Sequence, residues 1–464
     1  MSLERLRELH AMLRLPAPDP GRVSIRGADP LLATRFRVGE AASAALAACA
    51  LAAAELWRQR GGREQSVAVD LVGAAASLLG FAWQRLEEPS AATSWEPRGQ
   101  LTDFYPTRDG QWFLLHQSFP ETQARALARL GCSAERESLA RAIAGWDAQA
   151  LEDAIAEIGC CGARVRSAEE WAAHPQGRAL APLPVVEVIR AADSPPEPLS
   201  RSSDRPLSGV RALDLTRVLA GPTCGRTLAA HGAEVLRIGS PKLPSVLPFV
   251  MDTSHGKRSA FLDLRERADG ERLRDLVRGA DVFTQGYRSG ALARLGFGPE
   301  ELFALRPGLV YTAINCYGHE GPWSGRPGWE QLAQTVTGIA HEHGVPERPR
   351  LLPAAATDYN TGHLATLGTM IALARRAREG GSYLVRASLA QTGMWIARMP
   401  RSGSPGAGLS PEQVRPFLTR SYTPFGKLTH LGPIVEMSET PARWATPTVP
   451  LGTHPPEWLG SPAR

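Results

Sequence analysis

The sequence predicts an α/β protein, with a Rossmann-like parallel sheet flanked by helices on both faces in the C-terminal part and a smaller α+β domain in the N-terminal part. Three observations carry this reading. From residue 210 onward, short apolar runs rich in β-branched residues alternate with amphipathic runs of helical length, the pattern of strands joined by crossover helices. Before residue 191 the order is different: a long Ala-rich helix, a strand and then mixed elements. Between the two parts, "AADSPPEPLSRSSDRPLSG" (191–209) is mostly Pro, Ser and charged residues, which is linker composition. The expected units are therefore 1–190, the linker 191–209, an α/β domain over 210–395, and a loop with a closing segment over 396–464.

The elements follow in order. "MSLERLRELHAML" mixes charges with apolar residues and reads as a short helix, with no apolar signal core, so a cytoplasmic protein is expected. "GEAASAALAACALAAAELWRQR" (39–60) is a long helix, "QSVAVDLV" (65–72) and "GQWFLLH" (110–116) are strands, and amphipathic helices run on to about 172. In the C-terminal part "VRALDL" (210–215) is a strand and "TRVLAGP" a loop, with Pro222 suited to a first helical turn. "TCGRTLAAH" is the helix, ended by Gly232. The alternation continues through "AEVLRI", "SAFLDL", "ADGERLRDLVRGA", "DVFTQ", "PEELFALRP" and "LVYTAI", and a helix is predicted over 360–378. Ligands of such sheets bind at the carboxyl ends of the strands.

Composition narrows the function. The 464-residue chain carries a net charge of +5, and Lys stands only at 242, 257 and 427, so Arg supplies nearly all the positive charge. No basic cluster is dense enough for a nucleic-acid groove, while a mild positive excess suits an anionic small molecule. No uninterrupted apolar run of about 18 residues occurs, so no membrane span is expected. The six cysteines (49, 132, 160, 161, 224, 316) lack zinc spacing and read as reduced thiols, with no metal site.

An internal repeat is visible. Residues 39–70 align without a gap on 357–388, each a long helix, a glycine turn and a strand. The offset pairs Arg60 with Arg378, Gly62 with Gly380 and Glu40 with Asp358.

Several motifs hold chemistry in reserve. "DLTRVLAGPTCG" lacks GxGxxG, and the next strand ends "RIGS" with no acid for a ribose hydroxyl, which argues against a dinucleotide. A helix start at 222–224 beside Arg217 still suits a phosphate. Lys257 and Arg258 in "SHGKRS" fit either a solvated turn or a phosphate contact. Tyr287, Arg288 and Arg294 in "QGYRSGALARLGFG" fit a purine and its phosphates, or ordinary loop packing. "YGHEGPWSGRPGW" (317–329) has the composition of an ordered functional loop, with His319 and Glu320 either acid–base groups or structural. In "AAATDYNTGHLA", Asp358 is either a helix cap or a reagent. No Ser/His/Asp order, GxSxG elbow or Walker loop is present.

Together "GVRALDLTRVLAGPTCGRTLAAHGAEVLRI", "GKRSAFLDL", "ADVFTQGYRSGALARLGFGPEELFALRPGLVY", "YGHEGPWSGRPGWEQLAQ" and "AAATDYNTGHLA" resemble, in order and spacing, the class III CoA-transferases, the family of formyl-CoA transferase and the carnitine and bile-acid CoA-transferases. The resemblance implies that Asp358 is a nucleophile passing through covalent aspartyl intermediates, that coenzyme A enters as an acyl-CoA substrate, and that a small carboxylic acid is its partner. It implies CoA contacts at Arg217, Val218, Leu219 and Ala220, with Lys257 and Arg258 near the nucleotide end, Tyr287 beside the adenine, and Arg294 and Leu295 as its neighbours. Gly286 stands where the family usually has Asn. Glu330 keeps an acid that the transferases share. Trp329 replaces the His that racemases of the family need, which disfavours an acyl-CoA racemase or isomerase; a non-catalytic CoA-binding subunit is the other alternative.

The resemblance also has an unusual order. Residues 30–190 resemble the family's second half, and 416–460 resemble its closing segment again, so the chain reads as two incomplete copies joined at 191–209. The expectation is that the N-terminal small domain covers the Asp358 site and that Glu40 is an inert vestige. Family members form interlocked dimers, which allows for a homodimer.

Overall fold

The computed structural model describes residues 2–88, 100–201, 203–345 and 348–460. Its centre is a seven-stranded sheet in the order Lys257–Phe261, Glu234–Gly239, Arg211–Leu215, Val282–Gln285, Val310–Asn315, Ser382–Ser388, Val186–Ala192. The first six strands are parallel. Counted from Arg211, their order is 3-2-1-4-5-6, the doubly wound arrangement whose direction reverses between the first and fourth strands. The seventh strand, Val186–Ala192, belongs to the N-terminal part and runs antiparallel to Ser382–Ser388. The expected linker therefore begins two residues late: Ala191 and Ala192 are sheet, because this edge offers them backbone partners.

The repeat is structural as well as sequential. Helices Val38–Gln59 and Ala356–Glu379 start at positions related by the offset of the alignment, as do Leu71–Ser77 and Leu389–Arg398. The equivalent residues Asp70 and Ser388 both cap the latter helices, Asp70 accepting from the Val72 N–H at 2.8 Å and Ser388 from the Gln391 N–H at 3.3 Å. The two long helices pack on one another, and Cys49 Sγ donates to the His363 carbonyl at 2.9 Å. Their Ala and Gly positions make this approach possible, since a Cβ adds little bulk. Val38–Gln59 is long and apolar enough to cross a membrane, but 78% of its apolar window is buried inside the protein; it is core.

The two parts exchange more than one strand. Glu436–Met437 pairs with Val67–Asp70 of the N-terminal part, and Gly426–Leu431 pairs with Arg85–Leu86. The small domain is a three-stranded antiparallel sheet, Asp103–Pro106, Trp112–Leu115 and Gly162–Arg164, under helices Pro120–Leu130, Arg136–Ile143 and Ala148–Glu157. It has its own core, including Phe113, Leu139, Leu151 and Ile155. The buried pair Arg166–Glu152, bidentate at 2.6 and 2.7 Å, locks the segment after its last strand to its last helix.

The linker is anchored. Arg60 is buried and donates to the carbonyls of Ser200, Pro206 and Ser208 at 2.6–2.8 Å. Glu197 forms a fork with Arg306, both oxygens at 2.7 Å. Charged donors on its carbonyls hold a Pro/Ser-rich segment whose described residues form no helix or strand after Ala192. Proteolytic nicking between 193 and 209 is therefore expected to leave both fragments in one peak on size-exclusion chromatography without denaturant; two separate peaks would show that the exchanged strands do not hold the parts together.

Candidate active site

The reversal in strand order leaves a crevice between the loop after Arg211–Leu215 and the loop after Val282–Gln285. A buried ion pair braces the first loop. Asp214 accepts from Lys257 Nζ at 2.7 Å, and the same ammonium donates to the Pro222 carbonyl at 2.6 Å, tying the sheet to helix Ala220–Ala230. Asp214 also accepts from the Thr216 N–H at 3.1 Å and from its hydroxyl. Between these restraints Val218 sits at φ +68°. That conformation costs a β-branched residue about 1–3 kcal/mol and is held only where its surroundings dictate it.

Helix Ala356–Glu379 meets this loop closely. A Cβ at Gly362 would lie 2.5 Å from the Ala220 carbonyl oxygen, so only glycine allows the approach. The first turn of this helix carries Asp358. The helix has no side-chain cap of its own, because Ala355 occupies the N-cap position. Glu330, at the start of helix Glu330–Val336, supplies one from outside: its carboxylate accepts the Thr357 N–H at 3.1 Å, the Thr357 hydroxyl at 2.6 Å and the Asp358 N–H. Gln334 donates to it at 2.5 Å. Asp358 is thus not the cap; it is the capped residue, and its carboxylate is left over. None of the described residues donates a hydrogen bond to that carboxylate, and Asp358 as a whole residue is 6% exposed. Burial, and then the Glu330 charge, push the Asp358 carboxyl well above the usual carboxylate range. Burial likewise raises Glu330, against the pull of its donors.

Asp358 stands where two chambers meet. The first, about 280 Å³, contains the guanidinium-bearing residues Arg125, Arg217, Arg288 and Arg326, with Tyr287. The second, about 380 Å³, is lined mainly by apolar side chains. Phe119, Val218, Trp329 and Asp358 line both. Trp329 forms part of the partition, with His116 and Phe119 of the small domain packed on its ring at centroid distances of 5.8 and 5.0 Å. The Arg217 guanidinium lies 5.7 Å over Phe119 and donates to the Pro244 carbonyl; burial lowers its pKa.

Of the residues singled out in the sequence, Arg217, Val218, Ala220 and Tyr287 line the first chamber and Leu219 lines the second. Gly286 lines the first chamber. Lys257 corrects the expected phosphate contact: it is buried in the Asp214 pair, and burial lowers its pKa to about 8 against the opposing charge of Asp214. Arg258 points to the closing segment, donating to the Glu457 carbonyl, with Glu234 at 3.9 Å. Arg294 and Leu295 are exposed on the turn Ala293–Leu295, outside both linings. His319 is structural, its Nε2 3.3 Å from the Ala387 carbonyl, and burial holds its pKa near 4. Arg125, His116 and Phe119 were not found from sequence, because they reach the site from another unit; Arg326 lay unremarked inside the loop 317–329. Among the described residues no group of three or more His, Cys, Asp or Glu side chains is placed to hold a metal ion.

The N-terminal copy repeats the capping, but its acid has a charged partner. Asp29 accepts the Glu40 N–H at 2.8 Å, just as Glu330 accepts that of Asp358. Burial pushes Asp29 up to about 6. The Glu40 carboxylate, however, is buried against Arg37 at 2.8 Å.

The sequence profile of a family described as CoA-transferase family III matches residues 21–190 and 207–416. The chain is 34% identical over 328 residues to an acetyl-coenzyme A transferase of Hypoxylon pulicicidum, covering 65% of this chain and 55% of that protein. It is 36% identical over 314 residues to an acyl-CoA transferase of Gibberella moniliformis, covering 62% and 55%. It is 32% identical over 203 residues to a succinyl-CoA:glutarate CoA-transferase of Mus musculus, covering 40% and 46%. The chain thus spans about half the length of the curated relatives it matches.

The raised Asp358 carboxyl makes a stability prediction. A folded pKa above the unfolded value means stability that is fully present below the unfolded pKa and lost as pH rises through the folded one. Asp358→Asn removes the buried charge, so its melting temperature is expected to exceed the wild type's by a few degrees at about pH 8, with the gap closing toward about pH 4. An equal or lower melting temperature at about pH 8 would mean that the carboxylate is stabilised rather than strained.

Proposed function

The chain belongs to CoA-transferase family III, and from that membership and the geometry around Asp358 we propose that it moves coenzyme A from an acyl-CoA thioester to a carboxylic acid through covalent intermediates on this aspartate. The carrying observation is the carboxylate itself. It is buried, free of donors among the described residues, and placed where a cationic chamber joins an apolar one.

The steps balance without a net proton. An Asp358 carboxylate oxygen attacks the thioester carbonyl carbon; the C–S bond breaks, CoA leaves as thiolate, and a mixed anhydride remains. The thiolate attacks the aspartyl carbonyl of that anhydride, the donor acid departs as carboxylate, and an aspartyl-CoA thioester forms. The acceptor carboxylate attacks this thioester, forming a second anhydride and freeing the thiolate again. The thiolate then attacks the acceptor's acyl carbon, and Asp358 leaves as carboxylate. Each intermediate keeps a good leaving group, which is why a carboxylate suits the task. Desolvation raises the nucleophile's basicity while Glu330 holds its backbone in place.

The four arginines of the first chamber are opposite in charge to a diphosphate, and Tyr287 lines the same chamber, where its ring suits an adenine. Pro222 has no N–H and the Thr223 N–H donates to the Leu219 carbonyl at 2.8 Å, so the Ala220 and Gly221 N–H groups at the start of helix Ala220–Ala230 are the ones that suit an oxyanion or phosphate. Lys257 acts indirectly, by bracing the loop 216–219 through Asp214. Glu330 is a positioning residue.

Intact mass after incubation with acyl-CoA esters tests the reading. A CoA-mass adduct is expected on the wild type, absent in Asp358→Ala and removed by hydroxylamine, and turnover is expected to fall at least about 1,000-fold in the variant. An adduct that persists in Asp358→Ala would overturn the assignment. A second test uses pH. The acidic limb of kcat/KM is expected above the ordinary carboxylate range, and Glu330→Gln, by removing the like charge, is expected to shift it to lower pH. A limb that stays in place would show that Glu330 does not set the nucleophile's protonation.

A further inference from the structure

We propose that the acyl groups carried by this protein are uncharged and apolar, and that the N-terminal part helps to select them; the inference rests on the transferase reading above. The two chambers differ in charge. Every arginine that faces the Asp358 cleft lies in the first chamber, and none of the described residues lining the second is Arg or Lys. The second chamber is walled by Leu79, Phe81, Val246, Phe249, Leu351 and Leu352. Phe81 and Phe249 meet edge to face at 4.9 Å, so one wall comes from each half of the chain.

The polar groups there are few and mostly committed. Gln334 donates to Glu330, and its oxygen accepts the Leu352 N–H at 2.8 Å. His116 is buried, and burial holds its pKa near 4, so it is neutral and offers no positive charge. The charged groups on the lining are Asp358 and Glu330, both acids.

A coenzyme A ester laid across Asp358 has one orientation that satisfies both chambers: the diphosphate among the arginines, the acyl group among the aromatic rings. A second carboxylate on that acyl group would be desolvated beside two like charges with no counter-ion, which costs orders of magnitude in binding. An apolar chain gains from the same walls. Because the acceptor acid ends as the acyl group of the product, it faces the same selection and is a monocarboxylic acid.

Calorimetric binding to Asp358→Ala and steady-state turnover by the wild type, each with CoA, hexanoyl-CoA and succinyl-CoA, test this. Hexanoyl-CoA is expected to bind at least about 10-fold tighter than CoA, and succinyl-CoA no tighter than CoA. The wild-type kcat/KM is expected to favour hexanoyl-CoA by about 100-fold. Phe249→Arg, or the half-buried Leu351→Arg should the first not fold, is expected to narrow that ratio at least about 10-fold by raising succinyl turnover. Succinyl-CoA turned over as well as hexanoyl-CoA would overturn the substrate class and leave the transferase reading standing. Binding of the esters without turnover of either would overturn the transferase reading and this inference with it.

Discussion

The site depends on one carboxylate that performs no chemistry in the proposed reaction. Glu330 takes the place of an N-cap for the Asp358 helix, accepting two backbone N–H groups and the Thr357 hydroxyl, with Gln334 donating from its other side. A helix starting with Ala355 has no side chain to satisfy those donors. Burying an acid next to another acid is unfavourable, and the four donors are what offset it. Burial, and then the Glu330 charge, raise the proton affinity of Asp358, while the helix start and the direction in which its side chain projects follow from this contact. So does the partition of the cleft, because Glu330 directly follows Trp329.

The duplication explains why the same capping arrangement occurs twice. In the N-terminal copy Asp29 caps the helix at Glu40 as Glu330 does at Asp358. There Arg37 stands 2.8 Å from the acid. What the N-terminal copy contributes lies elsewhere. It gives an edge strand to the large sheet, packs its long helix on the Asp358 helix, and extends its small domain over the cleft with His116, Phe119 and Arg125. The C-terminal part returns strands to the N-terminal sheets. Separation of the parts would expose the two Ala-rich helices and remove a wall from each chamber.

Charge is distributed by chamber, which gives the crevice a direction. Guanidinium groups cluster toward the loops at the sheet's reversal, while the space beyond Asp358 is bounded by aromatic and aliphatic side chains. Lys257 shows how far a local reading of charge can mislead. A lysine at a strand edge in a chain with three lysines points to a ligand, yet its ammonium is spent on Asp214 and Pro222 inside the protein. Its effect on the site is to fix the loop in which Val218 is held at positive φ.

Local pattern was enough for the parallel sheet, for the helices on both of its faces and for the repeat, because apolar periodicity and glycine or cap residues act over a few neighbours. The strands beginning at Arg211, Glu234, Val282 and Val310 lie within two residues of where the alternation places them. Motifs contiguous in the chain, such as 216–220 and the turn after Val282–Gln285, were likewise legible. Tertiary structure alone decided the strand order, the exchange of strands between the parts and the anchoring of the linker by Arg60, since these join residues far apart in the chain. It also decided that Asp358 is capped rather than capping. A helix-start sequence says only that some acceptor must serve those N–H groups, whereas the acceptor, Glu330, arrives from 28 residues away. The partners of a buried charge are set by packing in space, and spacing along the chain does not encode them.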